Sequence, residues 1–248
     1  MQPLTRVLFV VSEAEPFTDT TDLARLARVL PEKLQETGRF EMRIMMPRYG
    51  IISERRNRLH EVIRLSGAEL AVGAGKETLK VKVASIPGLR LQVYFMENNR
   101  FFKRKGGFQG RDDGEAYDDN AERALFFGRA ALTTIHNLGW APDLVHAVGW
   151  AGAFVPYLVA NDFRHDTLVG GARTVYTPDG YDALTSFDPA LLSQHGVSPD
   201  VGDAATLRDL AEHHADAVLN VPDETSDTAD LAARMMGRYD EVLGSVVV

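Results

Sequence analysis

The sequence predicts an α/β domain built on a doubly wound, mostly parallel sheet, with helices on both faces and a small antiparallel β excursion. Three observations lead there. Val7-Leu8-Phe9-Val10-Val11 is a continuous apolar, largely β-branched run, the composition of a strand buried on both faces of a parallel sheet. Strand-like and helix-like patterns alternate along most of the chain, which implies repeated βα units. One middle segment, Glu77 to Val83, instead alternates apolar and polar residues, the period of a half-exposed strand.

The elements follow in order. After Val7 to Val11, the spacing of Leu23, Leu26, Ala27, Leu30 and Leu34 predicts a helix with Thr20 or Thr21 as N-cap and Gly38 as a stop. Pro31 should kink it. Met42 to Met46 reads as the next strand, completing one βαβ unit. Val62 to Leu65, Leu70 to Val72, Glu77 to Val83 and Leu91 to Met96, punctuated by glycines at 67, 73, 75 and 88, read as a hairpin excursion at about 59–97. Asn98 to Asp118 is a polar loop of unusual length, and loops that long usually serve a function or are disordered. Asp119, with Glu122 three residues on, predicts a capped helix whose inner face carries Leu125, Leu132, Ile135 and Leu138. Leu144–His146, Arg173–Tyr176 and Ala217–Val221 then read as strands. Gly152–Asn161, Leu207–His214 and Glu224–Tyr239 read as helices. The whole is expected to be a single domain, 1–248.

Composition narrows the function. The chain has 248 residues, 45% hydrophobic and 25% charged, with a formal net charge of -8, so a nucleic acid or an anionic membrane would be repelled over most of the surface. It contains no cysteine, which excludes disulfides and thiolate chemistry. No leader or membrane-span pattern is present, and a cytoplasmic location is expected.

In an open α/β sheet, ligands bind beyond the carboxyl ends of the strands. The segments to inspect are therefore Ser12–Asp22, Pro47–Gly50, His146–Trp150, Thr177–Tyr181 and Pro222–Glu224. No G-x-G-x-x-G follows the first strand, and no P-loop, H-E-x-x-H or G-x-S-x-G motif occurs. No cofactor is expected. The acidic run Asp112 to Asp119 lacks the EF-hand spacing, and the adjacent His213 and His214 cannot face the same way on a helix. No metal site is expected either. Lys103-Arg104-Lys105, with Phe101, Phe102 and Phe108, offers either an exposed flexible segment or an edge for phosphate or α-glucan.

The same segments carry a family resemblance. Val7 to Glu13 with Pro16-Phe17, then Pro47-Arg48-Tyr49-Gly50, Asp119-Asn120 with Arg123, Val145-His146-Ala147 and Ala215-Asp216 with Val221-Pro222 occur in the order found in glycogen and starch synthases. The chain resembles the Rossmann-like amino-terminal half of such a GT-B glycosyltransferase. That resemblance implies glucosyl transfer from a nucleotide sugar to an α-1,4-glucan, in a cleft shared with a second domain which these 248 residues do not include.

The departures carry the functional expectation. Where the family has K-T-G-G after Pro-Phe, this chain has Asp19-Thr20-Thr21-Asp22, so a carboxylate replaces the lysine that meets the donor's phosphates. H-A-H-D-W-H has become His146-Ala147-Val148-Gly149-Trp150-Ala151, and T-I-H-N has become Thr177-Pro178-Asp179-Gly180. The resemblance leaves His146, Asp119 and Asp179 as candidate catalytic groups. Thr20, Arg48, Tyr49, Asn120, His146 and Trp150 are candidate substrate contacts. Each also has a plain structural reading: local hydrogen bonding for His146, capping for Asp119, a turn for Asp179, packing for Tyr49 and a carboxylate partner for Arg48. The expected ligand is a sugar nucleotide or an α-glucan, with a partner protein or a second copy available to cover the cleft face. The isolated chain is expected not to turn over. The alternative is a non-catalytic sugar- or anion-binding, regulatory or protein-interaction module.

Overall fold

The computed structural model describes residues 3–19, 21–89, 91–192, 201–220 and 228–244, with side chains of the last segment from Leu231. Its strands are β1 (Thr5–Val11), β2 (Phe40–Pro47), β3 (His60–Glu61), β4 (Glu69–Val72), β5 (Gly75–Thr78), β6 (Lys80–Ser85), β7 (Gln92–Glu97), β8 (Leu144–Val148), β9 (Arg173–Thr177) and β10 (Ala217–Val218). The α-helices are α1 (Asp22–Glu36), α2 (Glu54–Asn57), α3 (Asn99–Phe102), α4 (Asn120–Asn137), α5 (Val155–Ala160), α6 (Leu207–His214) and α7 (Thr228–Gly244).

Eight strands form one sheet in the order β10-β9-β8-β1-β2-β7-β6-β3. The first six of these run parallel. Counted along the chain, the parallel strands stand 3-2-1-4-5-6, the doubly wound arrangement in which the order reverses between the first and fourth strands. Val7 to Val11 lie at the centre with no exposed surface, which is why the segment is apolar at every position instead of alternating.

The helices obey local rules. Thr21 caps α1 by accepting from the N–H of Ala24 at 2.9 Å, and Gly38 leaves the helix at φ +70°. Pro31 lies inside α1 on its buried face. α4 is buried nearly all round, and its Gly128 brings α5 close: a Cβ there would lie 2.8 Å from Leu158. Trp150–Gly152 forms a 3-10 turn ahead of α5, so the predicted helix over Gly152–Asn161 begins later, at Val155. The predicted strand end at Val221 and helix start at Glu224 lie outside the described residues.

The middle of the chain forms the expected antiparallel excursion, with part of it built onto the main sheet. β4 and β5 form a separate antiparallel pair, while β6 and β3 extend the main sheet antiparallel. β7 forms the expected hairpin with β6, antiparallel from Lys80↔Glu97 to Ser85↔Gln92, and on its other side is a parallel strand, paired to β2 from Ile44↔Val93 to Pro47↔Met96. Its residues Val93 to Met96 are buried. A short apolar run looks the same in a hairpin and in a buried parallel strand, and β7 is both. Lys82, a polar residue of the alternating Glu77–Val83 segment, does not face solvent as the half-exposed pattern implies. It is buried, with its ammonium 2.6 Å from Glu54 and 3.0 Å from Glu97.

The Pro47–Gly50 segment ties this frame together. The Tyr49 hydroxyl donates to the Ser12 carbonyl at 2.9 Å, joining the ends of β1 and β2. Gly50 donates to the carbonyl of Arg104 at 2.8 Å, and a Cβ at position 50 would stand 2.1 Å from the carbonyl oxygen of Lys103. Backbone on backbone is the only fit. Gly50→Ala should therefore lower the urea-unfolding free energy by about 1–3 kcal/mol, the usual cost of overpacking; an unchanged midpoint would show that this contact is dispensable.

Candidate functional site

A cleft of about 840 Å³ opens beyond the carboxyl ends of β1, β8 and β9, at the point where the strand order reverses. Its walls come from three of the segments expected to meet there, Ser12–Asp22, His146–Trp150 and Thr177–Tyr181, with Tyr49 and the Gly106–Gly114 loop closing the side.

Its floor is a backbone junction. Ser12 donates from N–H and hydroxyl to the Val148 carbonyl, at 3.0 and 3.1 Å, and its hydroxyl accepts from the Ala151 N–H at 3.0 Å. Gly149 sits between them at φ +74°, where a Cβ would lie 2.5 Å from both Ser12 Oγ and an Asp179 oxygen. Only glycine admits that backbone and that approach together.

Asp179 is the central carboxylate. It accepts from the N–H groups of Trp150 (2.9 Å), Tyr181 (3.0 Å) and Asp182 (3.2 Å). Burial pushes its pKa up to about 7, with Asp182 and Glu13 adding to the shift and the backbone donors opposing it. Glu13 lines the same cleft and is raised by burial, while a hydrogen bond from Thr21 holds it back.

The cleft's guanidinium groups are both committed to carboxylates. Arg111 reaches from the long loop to both oxygens of Asp19, and Arg208 holds the buried Asp182 at 2.9 Å. The mouth is aromatic: Tyr181, 40% exposed, stacks on Phe108 at 4.4 Å and 22°, and Phe108 meets Trp150 edge-on at 5.5 Å.

The structure distributes the candidate residues unevenly. Asp179, Trp150 and Tyr49 line the cleft, and Tyr49 does so as a buried strut whose hydroxyl pKa burial raises. His146 lies beneath it, fully buried, between the Tyr239 hydroxyl (Nδ1, 2.6 Å) and the Thr177 hydroxyl (Nε2, 2.8 Å). Burial depresses its pKa to about 3.

Other candidates sit elsewhere. Asp119 is not a side-chain cap: its carboxylate is held as a fork by Arg104, at 2.6 and 2.5 Å, away from the cleft lining. Asn120 is buried between Phe108 O (2.9 Å) and Arg123 (2.6 Å). Arg48 bridges Glu54 (2.8 Å) and Glu97 (3.4 Å). Thr20 lies outside the described residues, as do Val221, Pro222 and Glu224.

The exposed aromatic edge expected near Lys103 does not exist. Phe101 and Phe102 have no exposed surface and Phe108 is 7% exposed, because α3 and the loop after it fold onto α4. The rings of His213 and His214 meet edge to face at 4.8 Å. Among the described residues no group of three metal-ligating side chains forms, and no helix is long and apolar enough to cross a membrane.

The two perturbed groups give opposite pH dependences. His146 is protonated below about 6.5 when unfolded but only below about 3 when folded, so its contribution is present above 6.5 and lost as pH falls towards 3. The Asp179 carboxyl, ordinarily near 3.8, is raised to about 7. Its contribution is full below about 4 and lost as pH rises through 7. The windows overlap, so single variants separate them. In urea-unfolding series from pH 3.5 to 8, His146→Gln should remove the acid-side loss and Asp179→Asn the loss approaching pH 7. Curves parallel to wild type in both variants would contradict these assignments.

Comparison with known proteins gives the site its family. Residues 6–214 match the family described as starch synthase catalytic domain. The glycogen synthase of Chlorobium luteolum is 39% identical over 172 residues, 69% of this chain and 35% of the relative. That of Chlorobaculum tepidum is 32% identical over 231 residues, 93% of this chain and 47% of the relative. The chain thus spans less than half the length of these curated relatives. Among solved structures, the catalytic domain of starch synthase IV from Arabidopsis thaliana, bound to ADP and acarbose, superposes with a TM-score of 0.71 at 20% identity. The alignment covers 96% of this chain and 50% of that one, and shows the shared fold. With the family pattern covering most of its length and a cleft at the strand-order reversal, this chain belongs to the starch synthase catalytic domain family.

Proposed function

We propose that the cleft binds a neutral sugar, the end of an α-glucan, and that this domain does not hold the diphosphate of a nucleotide sugar in the manner of a transferase. One observation carries the reading: among the described residues the cations lining the cleft, Arg111 and Arg208, are spent on Asp19 and Asp182, while Glu13 and Asp22 add further acid. A diphosphate would have to displace a carboxylate from Arg111 and lie beside the others, which Coulomb repulsion opposes in a partly enclosed site. Sugar hydroxyls meet no such penalty. They donate to carboxylate oxygens, and a sugar's C–H face suits the Tyr181–Phe108 stack, an apolar platform with a few convergent polar groups.

The structurally similar synthase was captured with both ADP and acarbose. Of those two ligand classes, the charge distribution here favours the sugar. The protonation of Asp179 near neutrality supports the same reading, because a neutral carboxyl both donates and accepts.

Calorimetric titration against maltohexaose and against ADP-glucose tests the proposal. Maltohexaose should bind and ADP-glucose should not. Tyr181→Ala should weaken maltohexaose about three- to tenfold, the worth of about 0.5–1.5 kcal/mol for an aromatic contact. Binding of ADP-glucose more tightly than maltohexaose, or glucose transfer to glycogen at an ordinary enzymatic rate, would overturn it.

A further inference from the structure

Far from the cleft, at the free edge of the sheet, the chain turns basic. Arg55 and Arg56 on α2, Arg58 as its C-cap and Arg64 beyond β3 lie within ten residues, and all four are exposed. Among the described residues, none of their side chains meets a carboxylate or a ring. Most other described arginines do: Arg6, Arg39, Arg104, Arg129, Arg173 and Arg238 each pair with an acid. In a chain of net charge -8, four unpaired guanidinium groups on one short stretch are a local reversal of sign.

Three further features surround them. β3 ends the eight-stranded sheet, so its outward backbone groups have no strand partner. Ile63, beside it, is 83% exposed, the most exposed of the large hydrophobic residues. Arg58 occupies a left-handed backbone conformation, φ +51° and ψ +45°, where glycine would be cheaper. The stretch is nevertheless well anchored, since the Leu59 N–H donates to Glu54 O at 3.0 Å and the Val62 N–H to Val81 O at 2.8 Å.

We infer that this edge is a docking surface for an acidic, extended protein segment that adds as a strand beside β3, its carboxylates on Arg55, Arg56, Arg58 and Arg64 and an apolar residue against Ile63. Open strand edges bind by backbone pairing, with side chains setting specificity. Arginine forks suit carboxylates in particular. A short peptide senses only the local charge, because screening confines each field to about 8 Å at physiological salt. A long polyanion would also meet the acidic remainder of the surface.

The probe is a fluorescein-labelled octapeptide alternating Glu and Val, followed by anisotropy with the full chain. Saturable binding is expected, weakening at least tenfold between 50 and 300 mM salt, with amide shifts centred on His60 and Glu61. A peptide alternating Lys and Val should not bind. Arg56→Glu with Arg64→Glu should cut affinity at least tenfold. Arg58→Gly should bind several-fold more weakly yet unfold at a higher urea concentration, a separation that mere loss of structure would not produce. The inference fails if the Glu-Val peptide does not saturate, if the double variant binds like wild type, if the shifts fall in the cleft, or if a twelve-nucleotide single-stranded DNA binds as tightly as the peptide.

Discussion

The approach of β1 to β8 at their carboxyl ends is the constraint on which the rest of the structure depends. Ser12 spends both its N–H and its hydroxyl on Val148, and Gly149 leaves the space in which Ser12 and Asp179 come within reach of the same turn. A side chain at 149 would separate them. Because that space is filled by backbone, Asp179 is drawn out of water, and its carboxyl keeps a proton to about neutrality. The reversal of strand order makes a crevice available; the glycine decides what stands in it.

Much of this frame was legible in the sequence, and the reasons are local. Val7 to Val11 read as a doubly buried strand, and the periodic leucines of α1 read as a helix capped by Thr20 or Thr21, of which the structure uses Thr21, because periodicity and capping are properties of neighbouring residues. What escaped depends on distant partners. Nothing near Val93 says that it pairs with Ile44, and nothing near Asp119 says that Arg104 takes the carboxylate a helix end would otherwise use. The length of Asn98–Asp118 marked it as either functional or disordered, and its Gly106–Gly114 part lines one wall of the cleft. Its phenylalanines could not be placed from sequence, since a ring in a polar loop reads as exposed until a helix is found to cover it. Arg111 was missed for the same reason: its partner, Asp19, is 92 residues away.

Buried charge is spent on architecture in this domain. Arg123, fully buried, gives its guanidinium to Phe101 O and Asn120 and is ringed by Phe102, Tyr117 and Trp150 at 4.8–5.6 Å. Burial lowers its pKa, but an arginine keeps its charge even so. Replacing one partner of such a group leaves the other desolvated and alone, which costs more than the pair contributes. Hence Arg123, Asp182 and Lys82 resist change, whereas Asp19 and Arg111, exposed and facing solvent, can exchange character at little cost in stability. The family's frame can thus persist while the charges at its cleft change, and a shared fold by itself does not determine what the cleft accepts.

The acidic cleft and the basic edge are parts of one sheet, and geometry determines whether they interact. From β1 to β3 the order runs through β2, β7 and β6, four strand spacings, or about 19 Å at the usual distance between strands. That exceeds the screening length of about 8 Å in physiological salt. The carboxylates at one end and the guanidinium groups at the other therefore contribute little to each other's potential, and the charge at each surface is set locally. A chain of contacts joins them instead, because Arg48 and Lys82 both bridge Glu54, which opens α2, to Glu97, which closes β7. Tyr49, the next residue after Arg48, hydrogen-bonds Ser12 in the floor of the cleft. A chain of contacts thus runs from the arginine-rich helix to the cleft through residues 48 and 49, and the motif Pro-Arg-Tyr-Gly is the piece that joins the two.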